Sequence, residues 1–191
     1  MNPGLDESKI LYVNNRKEWR GWLKRHYKSK KDIWLVYYKK RTGKPRISYN
    51  DAVEETLCFG WIDSIVRTID EDKFAQRFSA RKAKSRYSQA NLERNQALAR
   101  QGKVMKAVLA TIPNLSDDEF EIPPDILEAI RANSQAWENF QGFSLPYIRI
   151  RVAFIGAARK RPAEFKKRLR YFIKMTEKNK QFGFGGIDNY Y

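Results

Sequence analysis

An acid, Asp63, closes the apolar run Leu57–Ile62, and five cations, Arg77, Arg81, Lys82, Lys84 and Arg86, follow it within roughly two dozen residues. Arginine forks hold phosphate or carboxylate through paired hydrogen bonds. Ser85 and Ser88 are caps for a following helix, whose first N–H groups and dipole favour an anion by ~0.3–1 kcal/mol. The residue types therefore point to an anion pocket built from Arg67, Arg77, Arg81, Lys84, Ser85, Ser88 and Asn91. Asp63 is read as the organiser of this region, fixing the corner or orienting an arginine, with Trp61 packed beneath it. Beside this stands a second reading, in which the same cations are separate solvated charges paired with Asp63, Asp70 or Asp72.

Other chemistries find little material. The chain has one histidine, His26, and one cysteine, Cys58. A Cys-His nucleophile would require the two to meet in space, and a zinc site needs more ligands than they supply. No phosphate-binding P-loop and no G-x-S-x-G elbow occur. Glu54 and Glu55 are neighbours on a helix and are poor acid/base partners. No cofactor or metal is expected. The absences favour a binding protein over an enzyme, although a small-molecule enzyme using Asp63, Arg77 and Arg81 stays an alternative.

The elements that position these residues follow from period and caps. Asn15 with Glu18 resembles a capping box, and Trp19, Trp22, Leu23 and Tyr27 recur at helical spacing, predicting a helix over 15–28. Residues 33–38, "IWLVYY", are apolar on both alternations and predict an interior strand. A basic loop, 39–46, follows. Ser48 with Asp51 opens a second helix that Gly60 ends. Residues 64–69 and 73–79 predict a β-hairpin in which Arg67 faces Ala75 and Ile65 faces Arg77. That register puts Arg67, Lys73 and Arg77 on one face and Val66, Thr68, Phe74 and Phe78 on the other. A third helix, capped by Ser85 or Ser88, runs to Gln101, and a short one follows over 103–111. Residues 113–124 form an acidic, Pro-bounded linker. Three helices are expected beyond it: one from Pro124 through Phe140, one after Ser144 and one from Pro162. Residues 181–191 read as a flexible tail. The fold class is α+β, a small antiparallel sheet packed with helices, followed by a helical C-terminal part.

The formal net charge is +16, from 38 Lys and Arg against 22 Asp and Glu. Residues 1–112 hold 25 basic and 12 acidic side chains, and residues 113–191 hold 13 and 10. The surplus calls for an anionic partner: a phosphate-bearing or carboxylate ligand, nucleic acid or an anionic surface. The N-terminus lacks a signal-peptide pattern and no apolar run reaches bilayer length, so the expected compartment is the cytoplasm.

The strings "WRGWL", "DIWLVYYKK", "ETLCFGWID", "YSQAN" and "GKVM" together resemble the YdeI/OmpD-associated, bacteriocin-protection family over residues 12–180. The family's central string matches at Leu57–Asp63, and its later positions match at Gln76, Arg77, Phe78, Arg81, Ser85, Ser88 and Asn91. Thr56, Ser64, Ala80 and Tyr87 depart from its pattern, as does the turn Pro162–Phe165. The resemblance implies a stress protein that protects against bacteriocins or antimicrobial peptides, with no settled reaction or cofactor. A nucleic-acid-binding module is the alternative drawn from charge.

Overall fold

The computed structural model describes residues 6–82, 85–113 and 120–183. Lys84, residues 114–119 of the acidic linker and the tail from 184 onward lie outside the described residues. Chain contacts divide the protein into two units, Met1–Arg86 with Leu98–Ile112, and Tyr87–Ala97 with Pro113–Tyr191.

In the first unit a short strand Ile10–Leu11 (β1) precedes helix Arg16–His26 (α1), strand Asp32–Tyr38 (β2) and helix Tyr49–Cys58 (α2). Strands Trp61–Thr68 (β3) and Lys73–Ala80 (β4) form the hairpin, and the unit closes with the end of helix Gln89–Arg100 (α3) and the short helix Lys106–Leu109 (α4). The caps sit where the sequence places them. Asn15 Oδ1 accepts from the Glu18 N–H at 3.0 Å, and Ser48 Oγ from the Asp51 N–H at 3.0 Å. Ser88, rather than Ser85, caps α3, accepting from the Asn91 N–H.

The sheet order is β1-β2-β4-β3. β2 lies between β1 and β4, and it is apolar on both alternations because both its faces are covered: Ile33, Leu35 and Tyr37 enter the main core, and Trp34 and Val36 a smaller cluster with Ala75. It pairs antiparallel with β4, and β4 antiparallel with β3. The two-residue β1 pairs parallel with β2, so the sheet is mixed at that edge. Arg67 faces Ala75 as the hairpin loop dictates, but a β-bulge between Asp63 and Val66 shifts the register beyond it. Ile65 therefore does not sit squarely opposite Arg77, because two residues of β3 oppose one of β4 there.

One sheet face carries Ile33, Leu35, Tyr37 and Phe78 into a core with Trp19, Leu23, Ala52, Val53, Leu57 and Trp61. Val66 and Thr68 share that side by alternation but stay exposed. The buried Trp19 indole is also hydrogen-bonded, donating to the Ala52 carbonyl at 3.0 Å. Gly60 ends α2 at φ +71°, and a Cβ there would stand 3.2 Å from Val108 Cγ2, so conformation and packing both demand glycine.

The second unit is helical beyond the linker: Pro124–Arg131 (α5), Ser134–Gln141 (α6), Leu145–Gly156 (α7) and Pro162–Glu177 (α8). Its core centres on Ile126, Ile130, Phe140, Tyr147, Ile155 and Phe172. The single helix expected from Pro124 through Phe140 is two. Asn133 leaves helical geometry and its side chain accepts from the Ala136 N–H at 2.9 Å, starting α6. Asn139 then reaches the end of α8, donating to the Thr176 and Glu177 carbonyls.

Candidate functional site

The corner at Asp63 is an anchor between α2 and the hairpin. Asp63 Oδ2 accepts from the Tyr49 hydroxyl and from Gln76 Nε2, both at 2.9 Å. Tyr49 opens α2 and Gln76 is a buried residue of β4, so one carboxylate ties helix start to strand. No arginine is among its partners in the described residues. Tyr37 lies in the same core; burial pushes its phenol far above the usual range, with Tyr49 and Asp63 adding to the shift. Trp61 is buried below, its indole N–H donating to the Tyr27 carbonyl at 3.0 Å. Asp63→Ala leaves the Gln76 amide without its acceptor and should lower unfolding free energy by about 1–3 kcal/mol, read by urea denaturation. A midpoint equal to wild type would remove the anchor role.

Arg67 and Arg77 lie on the opposite sheet face, with Trp34, Val36 and Ala75, as strand alternation requires. The Arg67 guanidinium lies over the Trp34 ring at 5.2 Å. Arg77 Nε donates to Asp32 Oδ2 at 2.9 Å, its Nη2 joins the same oxygen, and Lys9 Nζ lies 3.4 Å from Oδ1. The Arg77 hydrogen bond holds the Asp32 carboxyl below the ordinary carboxylate range. Asp63 and Arg77 thus project from opposite faces of one sheet, so a substrate cannot sit between them.

Arg81 directly follows β4. Its Nη2 donates to the Ser85 carbonyl at 2.6 Å, and Ser85 Oγ donates to the Lys82 carbonyl. Asn91 enters only through its backbone N–H on Ser88. The structure therefore puts Arg67 and Arg77 on one sheet face and joins Arg81 with Ser85 and Ser88 with Asn91, while Lys84 lies outside the described residues.

A charged cluster between α1 and α2 escaped the sequence. Arg16 engages Glu54 Oε2 at 2.7 Å and Asp51 Oδ1 at 3.1 Å, and it also binds Glu55 Oε1. Arg20 Nη1 donates to Glu55 Oε2 at 2.5 Å. Glu54 and Glu55, adjacent on α2, both reach Arg16. Burial works against the Arg16 charge, but the hydrogen bond and charge of Glu55, with Glu54, outweigh it and raise its pKa. The available signal was Arg16 and Arg20 one turn apart, on the stripe of Trp19 and Leu23 that faces the core. Burial likewise pushes the Cys58 thiol up, with the Glu55 charge adding and Arg20 opposing, so this thiol is a core group rather than a nucleophile. His26 packs on the Trp22 ring at 4.9 Å.

A concavity of about 430 Å³ runs along α1, lined by Leu11, Val13, Lys17, Trp22 and Arg25 among others. Asp63, Arg67, Arg77 and Arg81 do not line it. Among the described residues no group of three or more His, Cys, Asp or Glu is placed to hold a metal ion, and no helix is long and apolar enough to cross a membrane.

Residues 11–111 match a family model described as a domain of unknown function (DUF8412). Residues 119–179 match the model described as bacteriocin-protection, YdeI or OmpD-associated. The resemblance to the bacteriocin-protection family rests on this second match, whereas the C-F-G-W-I-D string falls in the first. No curated protein and no solved structure matches the chain.

Proposed function

The chain belongs to the family of the domain of unknown function DUF8412, which spans residues 11–111, and continues into a segment of the bacteriocin-protection, YdeI- or OmpD-associated family; from that premise we propose that it is a non-enzymatic protection protein of the cytoplasm that acts by holding an anionic partner. The observation that supports this reading most is the formal charge of +16, of which residues 1–112 hold the greater part. Such a surplus repels cationic molecules and draws anions to the surface. Direct capture of a cationic peptide is the form of protection this charge opposes. The residues that would carry the contact in this reading are Arg67, Arg77, Arg81 and Lys84 with the loop 39–46; of these, Arg77 is held by Asp32. A binding role also suits the placement of His26 on an aromatic ring and of Cys58 in the core.

The test is survival. Bacteria expressing the chain should survive a bacteriocin challenge better than an empty-vector control, and a variant with Arg67 and Arg81 changed to Gln should lose that advantage. Equal survival of chain and control overturns the reading. The charge also favours a second reading, a nucleic-acid-binding module, which a labelled oligonucleotide at two salt concentrations decides. Phosphate-backbone binding should weaken steeply with salt, and affinity poorer than ~100 µM at low salt removes nucleic acid.

A further inference from the structure

Helix α7 reads "LPYIRIRVAFIG" and buries two arginines two residues apart. They meet different fates. Arg149 Nε and Nη2 fork onto Glu93 at 2.6 and 2.9 Å. Arg151 is as deeply placed, 7 % exposed, yet its Nε is buried without a hydrogen-bond partner. Among the described residues no carboxylate or carbonyl accepts from this guanidinium. Three rings surround it instead, Phe182 at 5.3 Å, Phe154 at 5.7 Å and Tyr147 at 5.8 Å. Ring faces attract a cation but do not take the place of acceptors for its five N–H donors. Arginine cannot escape by losing its proton, and a buried charge without a counter-ion is costly.

The same side chain lines a cavity of about 230 Å³ between α7 and α8. Tyr171, Phe172 and Phe182 make much of its wall apolar, and Lys167 and Arg168 add further positive charge. The acid that could neutralise Arg151, Glu164, is also on the wall but is committed to Arg168 Nε at 2.8 Å. An apolar chamber lined by a guanidinium whose buried Nε–H has no acceptor is complementary to a molecule with one carboxylate and a hydrocarbon body. Its volume is below that of sites for drug-sized ligands, about 300–1,000 Å³, so it suits one ring with a short acid arm.

We propose that the Arg151 cavity is a ligand site for a small arylalkyl carboxylate, the carboxylate accepting from Arg151 and the ring lying against Tyr171 and Phe182. The site lies wholly in the second unit and does not depend on the protection reading.

The probe is hydrocinnamate, titrated into the full chain by calorimetry beside its neutral amide and acetate. Hydrocinnamate should bind with Kd below ~1 mM, and the amide and acetate at least ~10-fold more weakly. Arg151→Met keeps length and helix preference but removes the charge; it should lose binding ~10-fold or more while unfolding no earlier than wild type. Should that variant not fold, the Arg151 Nε–H resonance of the wild-type protein decides, because it must shift with saturation by hydrocinnamate. No saturable binding, equal binding of the amide or of acetate, full binding by a folded Arg151→Met or an unmoved Nε–H resonance each overturns the proposal.

Discussion

Replacing Glu93 by Leu is expected to lower the free energy of unfolding by about 3–5 kcal/mol, because it removes the carboxylate onto which the buried Arg149 charge forks. Both side chains are almost wholly enclosed, 4 and 5 % exposed, so solvent cannot take over the lost contacts. Glu93 also accepts from Gln89 Nε2 at 2.8 Å, which the substitution orphans. The double variant Glu93→Leu with Arg149→Met should behave differently. It removes both desolvated charges together, and such exchanges are neutral or stabilising by about 1–4 kcal/mol. Urea denaturation of the two single variants and the double closes the cycle. Additive losses, with the double variant worse than either single, would show that the pair is not the unit that matters.

Glu55→Leu is the second large effect, expected at about 2–4 kcal/mol. Glu55 is 3 % exposed at its side chain and receives both Arg16 and Arg20, whereas the arginines are 31 and 39 % exposed. They regain some water after the substitution, which holds the loss below that of a fully enclosed pair. Glu54→Leu should cost less, about 1 kcal/mol, because Arg16 keeps Glu55 and Asp51 as acceptors. The ranking is the test in urea titrations of both variants: Glu54→Leu matching or exceeding Glu55→Leu contradicts the assignment of Glu55 as the hub of the cluster.

Local chemistry set the elements of this protein before any tertiary contact is considered. Asn15 with Glu18 and Ser48 with Asp51 begin helices because side-chain acceptors meet the first free N–H groups. Gly60 ends α2 because its φ of +71° is easy only for glycine. "IWLVYY" reads as an interior strand because its side chains alternate between two faces and are apolar on both, as only a strand with both faces covered allows. The antiparallel pairing of residues 64–79, the α+β class and the helices beyond Pro124 follow from the same short-range rules.

Three features lay beyond those rules. The stripe Ile126, Ile130, Trp137 and Phe140 keeps a helical spacing across two helices, so periodicity hid the break that the Asn133 cap makes. The bulge after Asp63 moved β3 by one residue, and alternation together with the Tyr49 and Gln76 bonds set Asp63 on the face opposite Arg77. Charge partners were the least legible. Arg16 meets Glu55 across 39 residues and Arg149 meets Glu93 across 56, while Arg151, two positions from Arg149, meets aromatic rings. The sequence determined which side chains carry charge and on which helices they ride. Only the packing of those helices decided which charges were matched and which faced a cavity, because an ion pair depends on distance in space, and helix spacing constrains that distance only over a turn or two.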